Sequence, residues 1–87
     1  MYELDTSGEA AEQIAGLPDE ALLAFAEAAV VLELAPWNGQ AINNQNPEAP
    51  VRQWVFGGFG LITYLILEQR RQVSVIKVQW AGIGHSP

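Results

Sequence analysis

Cysteine is absent from this 87-residue chain, so disulfides and thiolate metal sites are excluded. Histidine occurs once, as His85, which rules out a zinc site built on a histidine pair. No apolar run approaches the roughly 18 residues that a membrane span requires, so no membrane association is expected. The chain opens Tyr2-Glu3-Leu4-Asp5, acidic where a secretion signal is basic, and a cytoplasmic location is the expectation. Recognisable catalytic motifs are missing too. Gly57-Gly58-Phe59-Gly60 falls between two strand-like segments rather than before a helix, so it is not a phosphate-binding loop. No Ser/His/Asp set follows from spacing, and no cofactor is implied.

Positive charge is absent from the first half. Residues 1–48 hold nine acids and no Lys or Arg, whereas residues 49–87 hold Arg52, Arg70, Arg71 and Lys77 against Glu68. The net charge of −6 is therefore split into −9 and +3. A uniformly acidic protein repels nucleic acid, but a locally basic second half beneath an acidic first half need not. At this length residues 1–87 form one domain, which buries only roughly two-thirds of its unfolded surface. Packing, and a partner where there is one, must stabilise it.

Several local patterns are present. Tyr2 to Asp5 alternates apolar and acidic residues, as a strand with one wet face does. Thr6-Ser7-Gly8-Glu9 has capping-box spacing, a hydroxyl at the N-cap and a Glu three later, and predicts a helix through Ile14 that stops near Gly16. Pro18-Asp19-Glu20 restarts a helix, with proline tolerated in the first turn and acids suiting the positive helix end. Leu22, Phe25, Ala26, Ala29, Val30 and Leu32 recur at helical spacing and are its expected buried face. Pro36 ends it. Residues 36–50 read as a long loop without period, carrying Pro36, Pro47 and Pro50 with Asn38, Asn43, Asn44 and Asn46.

Strand character follows in Val51–Phe56, a glycine turn, Leu61–Leu67, a polar turn at Glu68–Gln72, and Val73–Trp80. Leu61–Leu67 is apolar enough for a central strand covered on both faces or nearly so. Short connections favour antiparallel pairing. The tail, residues 82–87, has no apolar pattern. The fold class is therefore α+β, in the order β-α-α-β-β-β, with two N-terminal helices packed on an antiparallel sheet.

Arg52 and Lys77 both belong to strands, and Arg70 and Arg71 to a hairpin. Basic groups on a sheet can hold RNA phosphates and stabilise developing negative charge. Trp54, Tyr64 and Trp80 offer stacking faces, although Trp54 and Tyr64 fit a core or sheet-packing role better. His85 titrates near neutrality and is a candidate acid or base. A small sheet with aromatics at its end also suits a protein partner, with Trp80 as a contact.

The whole pattern resembles the RelE/ParE superfamily of type II toxin–antitoxin toxins over nearly all of the chain. The likeness rests on Tyr2-Glu3-Leu4-Asp5-Thr6, the Leu17-Pro18 break, and the helix closing at Ala35-Pro36 with Gly39 beyond it. It continues through Val51-Arg52-Gln53-Trp54-Val55-Phe56-Gly57, Leu61-Ile62-Thr63-Tyr64-Leu65-Ile66 and Val75-Ile76-Lys77-Val78-Gln79-Trp80. The resemblance implies a toxin neutralised by an antitoxin protein that wraps it. RelE-like members cleave mRNA on the ribosome with basic residues on the sheet, often with a Tyr or His near the C-terminus, and without a metal. ParE-like members act on DNA gyrase. Arg52 matches a sheet Arg of the family, and His85 matches the idea of a C-terminal acid or base. RelE-type nucleases also carry an Arg entering the central strand and another near the end of the last strand. Here those stretches read Phe59-Gly60-Leu61-Ile62 and Gln79-Trp80-Ala81.

The leading expectation is a toxin module that binds an antitoxin, with nuclease activity weak or lost. The alternatives are a ribosome-dependent mRNA endonuclease using Arg52, Lys77 and His85 with Arg70 or Arg71, and a non-toxic interaction module that reuses the fold. A homo-oligomer is compatible with any of the three.

Overall fold

The computed structural model describes residues 1–42, 45–46 and 48–81. Its elements are β1 (Glu3–Thr6), α1 (Gly8–Ala15), α2 (Asp19–Leu34), β2 (Gln40–Ala41), β3 (Val51–Phe56), β4 (Gly60–Leu67) and β5 (Gln72–Trp80). Short 3-10 turns lie at Pro36–Asn38 and Glu68–Arg70. The strands make one five-stranded sheet in the order β1-β5-β4-β3-β2. The meander β3-β4-β5 is antiparallel as expected. The sheet as a whole is mixed, because β1 pairs with β5 in parallel, Leu4 opposite Val73 and Thr6 opposite Val75. The two helices carry the chain across one face from β1 at one edge to β2 at the other.

Ser7, not Thr6, is the N-cap of α1, and its hydroxyl accepts from the Ala10 N–H at 3.0 Å. That shift leaves Glu9 one residue too early to close a capping box, and its carboxylate accepts from Gln13 at 3.2 Å instead. Helix α1 ends at Gly16, and α2 begins directly after Pro18.

The buried face of α2 is Ala21, Phe25, Ala28 and Leu32, so Leu22, Ala26 and Val30 point outward, contrary to the sequence expectation. The helix is apolar nearly all round, and periodicity alone does not choose a face. The alanines choose it. Ala21 and Ala28 let the backbone approach the sheet, where Phe25 meets Phe56 edge-on at 5.8 Å. Completing this core are Tyr2, Ala10, Leu17, Ile62, Tyr64, Ile66, Val73, Val75 and Val78. Each fully buried aliphatic side chain such as Leu32 contributes roughly 1.5–3 kcal/mol.

Helices cover one sheet face only. Along β4, Ile62, Tyr64 and Ile66 are buried while Leu61, Thr63, Leu65 and Leu67 are half-buried, so the central strand is not enclosed on both sides. The first part of the expected loop is structured: Pro36–Asn38 forms a 3-10 turn, and β2 pairs with β3 through Gln40–Gln53 and Ala41–Arg52. Asn43, Asn44, Pro47 and the 82–87 tail lie outside the described residues.

Candidate functional site

The pleat assigns every strand residue to a face, and it separates the expected cations. Arg52 pairs with Tyr64 across β3 and β4, while Lys77 pairs with Thr63 across β4 and β5. Tyr64 is fully buried beneath the helices, so its neighbour Thr63 points to the open face. Arg52 thus lies on the helix side and Lys77 on the open side. A register shift between Thr63 and Tyr64 leaves Ile76 unpaired in β5 as a bulge. That bulge returns Val78 to the core while Lys77 stays exposed. On the same open face β1 contributes Glu3 and Asp5, opposite Gln72 and Ser74, and Gln72 donates to Asp5 at 3.4 Å. Among the described residues, the strands present two carboxylates and one ammonium on this face.

Arg52 is one-tenth exposed or less, and its guanidinium is committed to backbone carbonyls. Nε donates to the Ala49 oxygen at 3.1 Å. Nη1 donates to the Gly39 oxygen at 3.0 Å and the Trp37 oxygen at 3.3 Å. The guanidinium also lies 4.8 Å from the Trp37 ring centre. Beside it the Tyr64 hydroxyl donates to the Pro36 oxygen at 2.6 Å. Burial pushes the Tyr64 phenol up to about 12, with the nearby Arg52 charge opposing part of that rise. Gly39 is required at this point, since a Cβ there would overlap the Tyr64 hydroxyl. Arg52 and Tyr64 together fasten Pro36, Trp37, Gly39 and Ala49 to the sheet.

A second cluster sits at the β4–β5 hairpin. Glu68 Oε1 accepts from the Tyr2 hydroxyl at 2.6 Å and from the Trp37 indole N–H at 2.9 Å. Glu68 Oε2 pairs with Arg71 at 3.0 Å, and Arg71 also donates to the Tyr2 oxygen at 3.2 Å. The Arg71 guanidinium stacks 4.2 Å from the Tyr2 ring centre. Its backbone is left-handed, with φ of 50°, at the end of the 3-10 turn. The Tyr2 and Trp37 hydrogen bonds, ahead of the Arg71 charge, hold the Glu68 carboxyl below its ordinary value. The same bond to Glu68 holds the Tyr2 phenol above its own. Arg71 is thus occupied by an internal network, whereas Arg70 next to it is exposed.

Trp80, the expected partner contact, is half-buried. Its ring lies 5.6 Å from Phe56 and 6.2 Å edge-on from the exposed Phe59. It also borders an open cleft of about 570 Å³ between α1 and β5, lined by Glu12, Gln13, Leu17 and Pro18 among others. Gln13 closes one wall by accepting from the Val78 N–H at 2.6 Å. His85 lies outside the described residues. Of the expected site residues, the structure brings Arg71 to a cluster with Tyr2, Trp37 and Glu68, which Arg52 adjoins through the Trp37 ring, and keeps Lys77 and Trp80 apart from it. Tyr2, Trp37 and Glu68 had no site role in the sequence reading. Their pairings span 31 to 66 residues and leave no local pattern. No group of carboxylates or histidines suited to a metal occurs among the described residues, and no helix is long and apolar enough to cross a membrane.

No family model matches the chain, and no curated protein matches it in sequence. Solved structures do match in shape. The isolated RelE toxin of E. coli superposes with a TM-score of 0.79 at 15% identity, covering 98% of this chain and 89% of the toxin. The intact E. coli RelBE toxin–antitoxin complex gives 0.76 at 15% identity, covering 94% of this chain and 99% of that one. The RelBE2 toxin–antitoxin complex of Mycobacterium tuberculosis gives 0.64 at 15% identity, covering 91% and 90%. Over almost its whole length, this chain has the fold of the RelE toxins.

Proposed function

We propose that the protein is a toxin-fold module that binds an antitoxin polypeptide and in which ribonuclease activity is weak or lost. The observation that carries this reading is the separation of Arg52 from Lys77. Arg52 is turned to the helix side and spends its guanidinium on the carbonyls of Trp37, Gly39 and Ala49. The open face offers Lys77 alongside Glu3 and Asp5. RNA phosphates are held by convergent cations, and a developing negative charge needs donors within about 3 Å of it. A face with this charge balance supplies neither at useful strength. The fold match to toxin–antitoxin complexes supports a polypeptide partner, and the half-buried apolar residues of the open face supply area for one.

Induction in a bacterial host tests both halves. Slowed growth without new mRNA 3′ ends is the expected result, with growth restored by co-expression of the protein's antitoxin. Abundant new 3′ ends that disappear in Lys77→Ala would overturn the loss of nuclease activity. Unimpaired growth at high expression would overturn the toxin assignment.

A further inference from the structure

Helix α2 is apolar on the side that faces away from its own sheet. Leu23, Val30 and Leu34 are 65%, 54% and 62% exposed. At about 100° per residue these three fall within one narrow stripe along the outer face, at spacings of seven and four. Acids border the stripe on both sides. Glu20 and Glu27 lie on one flank, Asp19 and Glu33 on the other, and residues 1–48 contain no Lys or Arg. A helix apolar on both faces is ordinarily covered on both. Here the sheet covers one face and solvent meets the other. The stripe adjoins an open groove of about 250 Å³ between α2 and the edge of β3, lined by Ala24, Glu27, Val31 and Trp54 among others.

We propose that the outer face of α2 is the docking site for an amphipathic helix of a protein partner, one whose apolar stripe is flanked by Lys and Arg. The charge pattern selects this occupant. A second copy laid along the same face would set acids against acids on both flanks, with no base on either helix to relieve them. Anionic lipid would meet the same repulsion. A basic helix gains attraction on both flanks while its apolar residues cover Leu23, Val30 and Leu34. Helix α2 has 16 residues and a length of about 24 Å, which matches roughly four turns of partner. This inference rests on the partner-binding part of the function proposed above and names the chemistry of the partner segment. It is independent of what the open sheet face does.

The test uses the full chain, isotope-labelled, and two synthetic 18-residue helical peptides. Both carry the same leucine stripe, one with lysine and arginine flanks and the other with glutamate flanks. The expected result is micromolar binding of the basic peptide, at least tenfold tighter than the acidic one. Chemical-shift changes should centre on Leu23, Val30 and Leu34. Affinity should fall at least tenfold in the exposed double variant Glu20→Lys/Glu27→Lys, whose fold is checked by circular dichroism, and should weaken with added salt. Equal binding of the two peptides, or shift changes confined to the sheet face, overturns the proposal. So does a dimer in sedimentation that Val30→Glu dissolves, or binding to phosphatidylglycerol vesicles in place of the peptide. Growth and 3′-end assays read the toxin assignment separately, so either can fail while the other stands.

Discussion

Arg52→Ala is the perturbation that best separates a structural arginine from a catalytic one. Among the described residues the side chain donates three hydrogen bonds to carbonyl oxygens, and its guanidinium faces the Trp37 ring. Hydrogen bonds from a charged donor are worth about 1.5–3 kcal/mol each, but they share one side chain and are not additive. Part of that is recovered, because the Trp37 and Ala49 carbonyls are only partly buried and water can reach them once freed. A net loss of about 3 kcal/mol follows, against a total stability of about 4–13 kcal/mol for a domain of this length. The melting temperature should fall by about 12–24 °C, at the usual 4–8 °C per kcal/mol for small domains. Arg52→Lys should recover less than half of it, because an ammonium cannot reach three divergent carbonyls in one plane. Lys77→Ala, on the open face, should stay within about 0.5 kcal/mol of the parent. Urea denaturation followed by tryptophan fluorescence reads all three. If Arg52→Ala unfolds at the same urea concentration as the parent, the clamp on Trp37, Gly39 and Ala49 does not stabilise the fold and the reasoning is wrong.

Other consequences can be measured directly. Gly39→Ala should cost about 1–3 kcal/mol by pushing a methyl into the Tyr64 hydroxyl, and the near-ultraviolet circular dichroism of Tyr64 should change. The Tyr64 phenol is raised to about 12 in the folded protein, so its contribution is full below pH 10 and is lost as the pH rises toward 12. The Tyr64→Phe variant should therefore show a shallower decline in stability above pH 10, measured by urea midpoints across that range. Glu68 has the opposite sign. Its folded value lies below the ordinary 4.5, so its contribution is present above that pH and is lost as the pH falls through the folded value. Glu68→Gln should flatten the acid limb of the stability curve. An unchanged acid limb would show that the Tyr2–Glu68–Arg71 network does not couple to folding.

Much of the fold was legible in the sequence because its signals are local. Gly16 stops α1, Pro18 and Pro36 bracket α2, and the turn at Gly57–Gly58, with φ of 61° and 80°, separates two strands of alternating character. The face of α2 was not legible, because Leu22, Val30 and Leu34 are as apolar as the residues that are buried. What decided it was the small volume of Ala21 and Ala28 against the sheet. Arg52 illustrates the harder limit. Its strand and position were readable, but strand parity alone does not say which face a meander turns to its helices. That depended on Ile62, Tyr64 and Ile66 of β4 turning to the helices together, with Arg52 paired to Tyr64 and the Tyr64 hydroxyl satisfied by the Pro36 oxygen. The site at the hairpin needed contacts between Tyr2 and residues more than 60 positions away, which no periodicity encodes.

Strand β5 lies between β4 and β1, so among the described residues β1 is held in the sheet by β5 alone. During synthesis, then, β1 and α1 emerge long before β5, the strand they pack on, and α2 waits for Phe56 of β3. At about 5–20 residues per second this leaves an apolar helix uncovered for several seconds in every newborn copy. Pairings so distant in sequence also make closure slow once the strands are available.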